Sequence, residues 1–306
     1  MRRKGNIHHW PVSGPPLYLG GLSFLAMLTG IPYFLFPELA ALHYDVLSRP
    51  EGAWAKRIEQ VVVSPTLAAL IGWSAGRLLG YAPWVAVLAA LGAMLLLLAF
   101  RSPVIPAISA GVLPVVLRVQ SIWYVPAILL GTGLMALSFL RLRQRLVAGG
   151  DGAEEPTGKR RLIGYPATLL FVLLGAWLAP DLATIFPPPL AVMAFELFTR
   201  PHAGWGKRPT AFFGCLVLVA TLGFLAGRLV PFAPLAVVLV LAVGILLLRR
   251  LDYHLAPALA VGVLPILVQP GPWYIIMVGG GAAVALAGNY GWRYLEKHSI
   301  GGEIGA

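Results

Sequence analysis

Long apolar stretches alternate with short polar or proline-rich interruptions along almost the whole chain. A stretch of about 20 apolar residues can cross the hydrocarbon of a bilayer as one helix. The pattern therefore predicts an all-α, polytopic membrane protein. Each half of the chain divides into six apolar segments, at 17–36, 37–48, 61–80, 82–100, 103–117 and 122–140, and at 163–186, 188–199, 211–230, 232–249, 254–268 and 273–290.

The two halves share motifs at a spacing of 151 residues. Three motifs return in the same order: RPEGAWAKR as RPHAGWGKR, GWSAGRLLGYAP as GFLAGRLVPFAP, and PAISAGVLP as PALAVGVLP. A Trp-Tyr pair follows them in each half, beginning at Trp123 and Trp273. Similarity at a fixed period predicts two tandem repeats of about six membrane segments each, and internal repeats are common in transporters.

The second and fifth segments of each half are short. Segments 37–48 and 188–199 cannot cross the hydrocarbon as one straight helix, because a helix rises only about 1.5 Å per residue. The short segments start at or near prolines, which helices accept in their first turn and reject in their interior. We interpret them as half-helices or broken helices, and the pattern leaves open whether 37–48 and 188–199 cross or re-enter.

The composition excludes an ordinary soluble domain. Apolar residues make up 58% of the chain and charged residues 11%, with a mean hydropathy of +0.81, whereas about a quarter of a soluble domain is charged. The net charge is +11. Membrane proteins concentrate Lys and Arg in cytoplasmic loops, and the basic residues here form no stripe interleaved with aromatics. We therefore expect membrane lipid, and not nucleic acid, as a partner.

The basic residues also predict the orientation. If all six segments of each half cross, with the N-terminus cytoplasmic, 20 of the 23 Lys and Arg residues lie inside and only Arg77, Arg118 and Arg228 lie outside. If the second segment re-enters, the division is 12 to 11. The positive-inside rule favours the first arrangement. It predicts parallel repeats in the cell inner (plasma) membrane, with both termini in the cytoplasm.

This orientation divides the chain into a first repeat at 1–140, a polar and Gly-rich cytoplasmic linker at 141–162, and a second repeat at 163–306. Both copies of the basic phrase then lie at the cytoplasmic face. There we expect Lys and Arg to hold the orientation and Trp54 and Trp205 to lie at the membrane interface.

The second half joins the stretch from Pro188 to Val230, a further helix, the sequence HLAPALAVGVLP and a Trp-Tyr pair. In this order the motifs resemble the HPP family of integral membrane proteins, and the chain looks like two fused HPP-like units. The resemblance implies units of four or five helices. Because plant members are described as nitrite transporters, it also implies transport of nitrite. The family is named for a His-Pro-Pro motif at the start of a helix. At the corresponding places this chain has SPVIP from Ser102 and HLAP from His254.

Arg77 and Arg228 occupy equivalent positions after GxxxG stretches, on the side where basic residues are otherwise scarce. Small residues four apart allow helices to pack closely. One interpretation is that both side chains extend to the membrane interface from a helix end. The other is a cationic mouth that attracts small anions.

Asp45 and Glu196 are equivalent carboxylates in the short second segments. A carboxylate at membrane depth is a functional candidate, here for binding a coupling proton or cation. The alternative is a local ion pair with the Arg four residues further along. Glu38 has no counterpart, because Pro189 aligns with it, and we do not expect a symmetric function there.

The N-termini of the broken helices are a second candidate site for binding an anion, because a helix N-terminus has free N–H groups and a partial positive charge. Breaks at matching places in both repeats point to a transport site. The candidate residues near these starts are Ser102, Pro106, Ser109, His254 and Pro257. His254 is either a hydrogen-bonded structural histidine or a proton carrier.

The sequence contains no HExxH, GxSxG or Walker loop and no cluster at metal-ligand spacing. We therefore expect no catalytic residue, no metal and no cofactor. The expected function is movement of a small solute, with a small inorganic anion such as nitrite as the leading substrate. A non-transporting membrane scaffold or sensor module is the alternative.

Overall fold

The computed structural model describes residues 13–143, 188–199 and 208–300, together with residues 164, 166, 168–170 and 173. This part of the chain is all-α, and thirteen helices are described in it. They are α1 (Gly14–Thr29), a 3-10 helix (Pro32–Phe34), α2 (Glu38–Ser48), α3 (Ala53–Lys56), α4 (Ile58–Leu79), α5 (Pro83–Ala99), α6 (Ala107–Val116), α7 (Tyr124–Leu142), α8 (Pro188–Thr199), α9 (Pro209–Leu229), α10 (Ala233–Arg250), α11 (Ala256–Val268) and α12 (Trp273–Ile300).

Five helices are long and apolar enough to cross a bilayer: α4, α7, α9, α10 and residues 273–291 of α12. The helices α5, α6, α8 and α11 are apolar and shorter. These lengths indicate a multi-pass membrane protein and agree with the prediction of short second and fifth segments.

The first predicted segment, 17–36, is wrong as a single helix. Helix α1 ends at Thr29, because Gly30 adopts a left-handed conformation with φ of 68°. Pro32 then begins the 3-10 helix. Most of the predicted segment 163–186 and of the predicted linker 141–162 lies outside the described residues.

Glycines allow close contact between a long helix and a short one in both halves. Helix α4 packs on α6, and α9 packs on α11. A Cβ atom on Gly72 would lie 1.7 Å from the carbonyl oxygen of Gly111, and one on Gly223 would lie 1.9 Å from that of Gly262. No side chain fits at these distances, so only glycine permits the contacts seen.

Short helices of one half pack against short helices of the other half. Helix α2 packs on α11, and α8 packs on both α6 and α11. Helix α1 packs on α10 in the same manner, across the halves. The short second segment of each half thus contacts the fifth segment of the other half, and the polar groups on these helices meet between the halves.

The basic phrase in the first half folds inward instead of lying flat on the membrane surface. The Trp54 side chain is 2% exposed, and its Nε1 donates a hydrogen bond to the carbonyl oxygen of Pro103 at 2.8 Å. The Trp54 indole therefore does not reach lipid as the expected anchor would, because it fills the space beside the turn before α6. Trp205 lies outside the described residues.

An Arg from each copy of the phrase binds a turn that precedes a short helix. Arg57 donates to the carbonyl oxygen of Arg101 at 2.7 Å, and Arg208 donates to that of Leu251 at 2.9 Å. Arg101 and Asp252 in these turns have positive φ values of 48° and 46°. The guanidinium groups therefore stabilise turns that carry backbone strain.

Two buried tyrosines donate hydrogen bonds to backbone carbonyl groups that lack their usual helical donor because of a proline. Pro114 in α6 and Pro265 in α11 have no N–H to donate to the carbonyl four residues earlier. The Tyr124 hydroxyl donates to one of these carbonyls, that of Ala110, at 2.8 Å. The equivalent Tyr274 hydroxyl donates to the other, that of Val261, at 2.6 Å. The repeated Leu-Pro and Trp-Tyr motifs therefore form one structural unit in each half.

We expect Tyr274→Phe to lower the free energy of unfolding by about 1–3 kcal/mol, because it leaves a buried carbonyl without a donor. In a Pro265→Ala background the same substitution should cost less, because the introduced alanine supplies the missing backbone N–H. Thermal unfolding of the four proteins in detergent measures this coupling. Equal costs in both backgrounds would contradict the link between the tyrosine and the proline.

Candidate functional site

Helix α2 carries two buried carboxyl groups. Glu38 is 1% exposed and Asp45 is 3% exposed. They are seven residues apart, which places them on one face of the helix about 10 Å from each other along its axis. A buried carboxyl group is costly unless it is neutralised, and inside a membrane protein it marks a functional candidate.

The local sequence explains why α2 starts and stops where it does. Pro37 precedes the helix, and Glu38 lies in its first turn, where a carboxylate interacts favourably with the helix dipole. The helix ends at Ser48, because Pro50 disfavours a helical conformation for Arg49 before it. Both carboxyl groups are thus held on a short, rigid element.

Glu38 binds a hydroxyl of α6. The Ser109 side chain, 0% exposed, donates a hydrogen bond to Glu38 Oε1. Within the described residues, Oε2 of the same carboxyl group has no hydrogen-bond partner on another residue. The Tyr124 and Tyr274 hydroxyls lie within electrostatic range of Glu38, one from each half of the chain. Since both donate to backbone carbonyls, they leave Oε2 without a donor.

This carboxyl group lies near the middle of the bundle. A Cβ atom on Gly111 would be 3.2 Å from the carbonyl oxygen of Ala68. Ala68 is the central residue of α4, which spans Ile58–Leu79. Ser109 is two residues before Gly111, so Ser109 and the bound Glu38 lie near the mid-depth of the longest described helix of the first half.

A second polar cluster surrounds Asp45 towards the other end of α2. The Arg49 guanidinium forms a salt bridge with Asp45 Oδ1, and His254 Nε2 lies 2.9 Å from the same oxygen. The imidazole of His254 also stacks on Tyr44 with ring centroids 5.1 Å apart. Glu196 lies within electrostatic range of His254. We call Asp45, Arg49, Glu196 and His254 the charged cluster.

The charged cluster joins residues that the sequence places in different halves. Asp45 and Glu196 occupy equivalent positions, and the structure places both near His254. The local pair of Asp45 with Arg49 is present, in addition to the contact with His254. His254 is a hydrogen-bonded histidine in this structure, and its contact with a carboxylate of the opposite half was not predicted.

The remaining candidates near the short helices have structural contacts. Ser102 is buried, with its Oγ 2.8 Å from Ser64 Oγ, and Ser64 Oγ lies 2.9 Å from Gln60 Oε1. Pro106 is the residue before α6, and Pro257 lies in the first turn of α11. These prolines begin the short helices as predicted, and Ser102 stabilises the turn that leads into α6.

Arg77 and Arg228 lie in the last turns of α4 and α9, and both are exposed. The Arg228 guanidinium donates to the carbonyl oxygen of Pro270 at 3.2 Å and lies 4.4 Å from the centre of the Phe224 ring. The two arginines mark the opposite end of these helices from Arg57 and Arg208, which precede them.

The sequence did not single out Glu38 as a site residue. Its lack of a counterpart at Pro189 argued against a symmetric function, and the structure places it near Ser109 of α6, Tyr124 of α7 and Tyr274 of α12. A residue between two halves needs no counterpart, since one side chain reaches both. The available signal was a carboxylate directly after a proline, at the start of a segment too short to cross the membrane.

Among the described residues no group of three or more His, Cys, Asp or Glu side chains could hold a metal ion. No known protein family, curated protein or solved structure matches the chain.

Proposed function

We propose that the chain is a membrane transporter for a small solute, with a small inorganic anion such as nitrite as the leading substrate. One observation carries the proposal: the short helices of both halves meet and bring four buried or partly buried ionisable groups between them. These groups are Glu38, Asp45, Glu196 and His254. Transport sites are commonly built in this way, from short or broken helices at the interface of two repeats.

Two parallel repeats are part of the same proposal, as is a cytoplasmic position of both termini in the inner (plasma) membrane. Contacts spaced 151 residues apart support the repeats. Gly72 packs on Gly111 as Gly223 packs on Gly262, and the tyrosine–proline units match as well, with one residue of slippage at the tyrosines. Membership in the HPP family, and with it the choice of nitrite, rests on the repeated sequence motifs.

The residues have distinct roles in the proposed transport. Arg77 and Arg228, exposed in the last turns of α4 and α9, attract the anion. Arg49 and His254 provide hydrogen-bond donors in the charged cluster, where Asp45 balances the positive charge. An anion that approaches this cluster competes with Asp45 for these donors, and this competition couples solute binding to a change in the contact between the halves.

Uptake into proteoliposomes tests the proposal. Nitrite, nitrate, formate and chloride are each offered to vesicles with the purified protein and to protein-free vesicles. Saturable uptake of one of these anions supports transport. If no solute moves, the non-transporting scaffold becomes the better explanation. The complete burial of all ten residues of α6 is consistent with such a scaffold.

We expect an Arg77→Ala/Arg228→Ala double variant to take up the anion about tenfold more slowly at low ionic strength, because steering by exposed charge raises association rates by at least this factor. The difference should shrink near 1 M salt, where the Debye length is about 3 Å. The matched control is Arg141→Ala/Arg143→Ala, which removes the same charge from the exposed end of α7. An equal loss in both double variants would contradict a specific role of Arg77 and Arg228.

A further inference from the structure

We propose that Glu38 and Ser109 form a proton-binding site, distinct from the charged cluster, and that protonation of this site drives the movement of the solute. The coupling rests on the proposed transport function. The proton site itself rests on the geometry around Glu38 alone.

The two oxygens of the Glu38 carboxyl group differ in their hydrogen bonding. Ser109 donates to Oε1, while Oε2 is buried and, within the described residues, has no partner on another residue. A carboxylate has room for about four donors on its two oxygens. A protonated carboxylic acid needs fewer donors, because one oxygen becomes a hydroxyl, and burying a neutral hydroxyl costs less than burying an unpaired anion. The surroundings therefore suit the neutral acid better than the anion.

Basic side chains lie at the end of α2 that is further from Glu38. Arg49 and His254 contact Asp45, and Arg249 lies within electrostatic range of Tyr44. Asp45 is two helix turns from Glu38, about 10 Å along the helix axis. An ionised carboxylate buried without a paired cation costs several kcal/mol. Uptake of one proton at Oε2 removes this cost, and release of the proton restores it.

The site also lies beside the contact between the halves. Glu38 of α2 and Ser109 of α6 both belong to the first half, but α2 packs on α11 of the second half and the Tyr274 hydroxyl of α12 lies within electrostatic range of Glu38. A change of charge at this junction alters the interaction between helices of both halves. Protonation can thus favour one relative position of the halves, which is what coupling demands.

The other ionisable groups near Glu38 are mostly tyrosines, which stay neutral at physiological pH. Helices α6 and α11 contribute no ionisable side chain of their own. The groups on the remaining neighbouring elements include Tyr18 of α1, Tyr33 of the 3-10 helix, His43 and Tyr44 of α2 itself, Lys56 of α3, Tyr124 and Arg141 of α7, Glu196 of α8 and Tyr274 of α12, besides the pair of Asp45 with Arg49. His43 packs edge-on against the Tyr18 ring, with centroids 4.5 Å apart, and not against the carboxyl group.

Infrared difference spectroscopy tests the proton site without any transport assay. The purified protein in lipid is taken through a change of pH, and the C=O stretch of a buried carboxylic acid is followed. We expect Glu38→Gln to remove this band and Glu59→Gln, the same change at an exposed carboxyl group of α4, to leave it. Ser109→Ala should shift the band, since it removes the hydrogen bond. A spectrum with no band that depends on Glu38 overturns the proton site.

Transport in proteoliposomes tests the coupling. Glu38→Gln should lose accumulation of the anion driven by a pH gradient but keep exchange between equal concentrations on the two sides, because the amide imitates the protonated acid. Accumulation that survives in Glu38→Gln, or that follows a sodium gradient, overturns the coupling. If the wild-type protein moves no solute, the coupling fails together with the proposed function, whereas the infrared result still decides on the proton site.

Discussion

Replacing Gly72 by alanine should destabilise the protein by about 3 kcal/mol, the upper end of the usual cost of overpacking. In an exposed helix the same change would stabilise by about 1 kcal/mol, because glycine is a poor helix former. Here the new Cβ atom would lie 1.7 Å from the carbonyl oxygen of Gly111. The backbone of α6 cannot yield as a flexible side chain would, so α4 and α6 must separate.

A matched substitution isolates this effect. Gly280 lies in α12, and a Cβ atom there would meet no atom within 4 Å. Thermal unfolding in detergent should therefore show a large loss for Gly72→Ala and none for Gly280→Ala. Gly223→Ala should behave like Gly72→Ala, because its Cβ atom would meet Gly262 in the same way. If Gly72→Ala and Gly280→Ala are equally stable, the contact between α4 and α6 is wrong.

Asp45→Asn should also be costly, by about 3 kcal/mol, because removing one partner of a buried ion pair leaves the other charge poorly compensated. The Asp45 side chain is 4% exposed and Arg49 is 19% exposed, so solvent relieves only part of this cost. The substitution also weakens the contact with His254, and with it the link between α2 and the turn before α11.

A double-mutant cycle separates the ion pair from the loss of a polar group. Asp45→Asn, Arg49→Gln and the double variant are compared by unfolding in detergent. We expect the double variant to lose clearly less stability than the two single variants together, since it leaves no buried charge without its partner. Glu51→Gln, in the exposed loop after α2, is the control for loss of a carboxylate. Strictly additive losses would argue against a paired Asp45 and Arg49.

The sequence predicted the secondary structure well where apolar length and proline position decide it. The short segments 37–48 and 254–268 became α2 and α11 almost residue for residue, because prolines and apolar runs mark their limits. The break of α1 at Gly30 was missed, since the apolar run continues through it. Local composition does not show that a glycine there is left-handed.

The sequence identified individual residues of the candidate site but not the contacts between them. Asp45, Glu196 and His254 were each identified from their positions in short segments, but periodicity says nothing about which short helix packs on which. Helices α2 and α8 each pack on the fifth segment of the other half, and the packing of α2 on α11 brings His254 into contact with Asp45. The contact of Glu38 with Ser109 could not be predicted for the same reason, because it depends on the packing of α2 beside α6.

The long sequence separation between Asp45 and His254 also sets an order of events during synthesis. The two residues are 209 positions apart, yet their side chains are in contact. At 5–20 residues per second, the ribosome needs roughly 10–40 s to extend the chain from one to the other. Throughout this interval the face of α2 that packs on α11 is uncovered, because its partner has not yet been made. The contact between α2 and α11 therefore forms late, and until then the same face of α2 is open to the α11 of another copy.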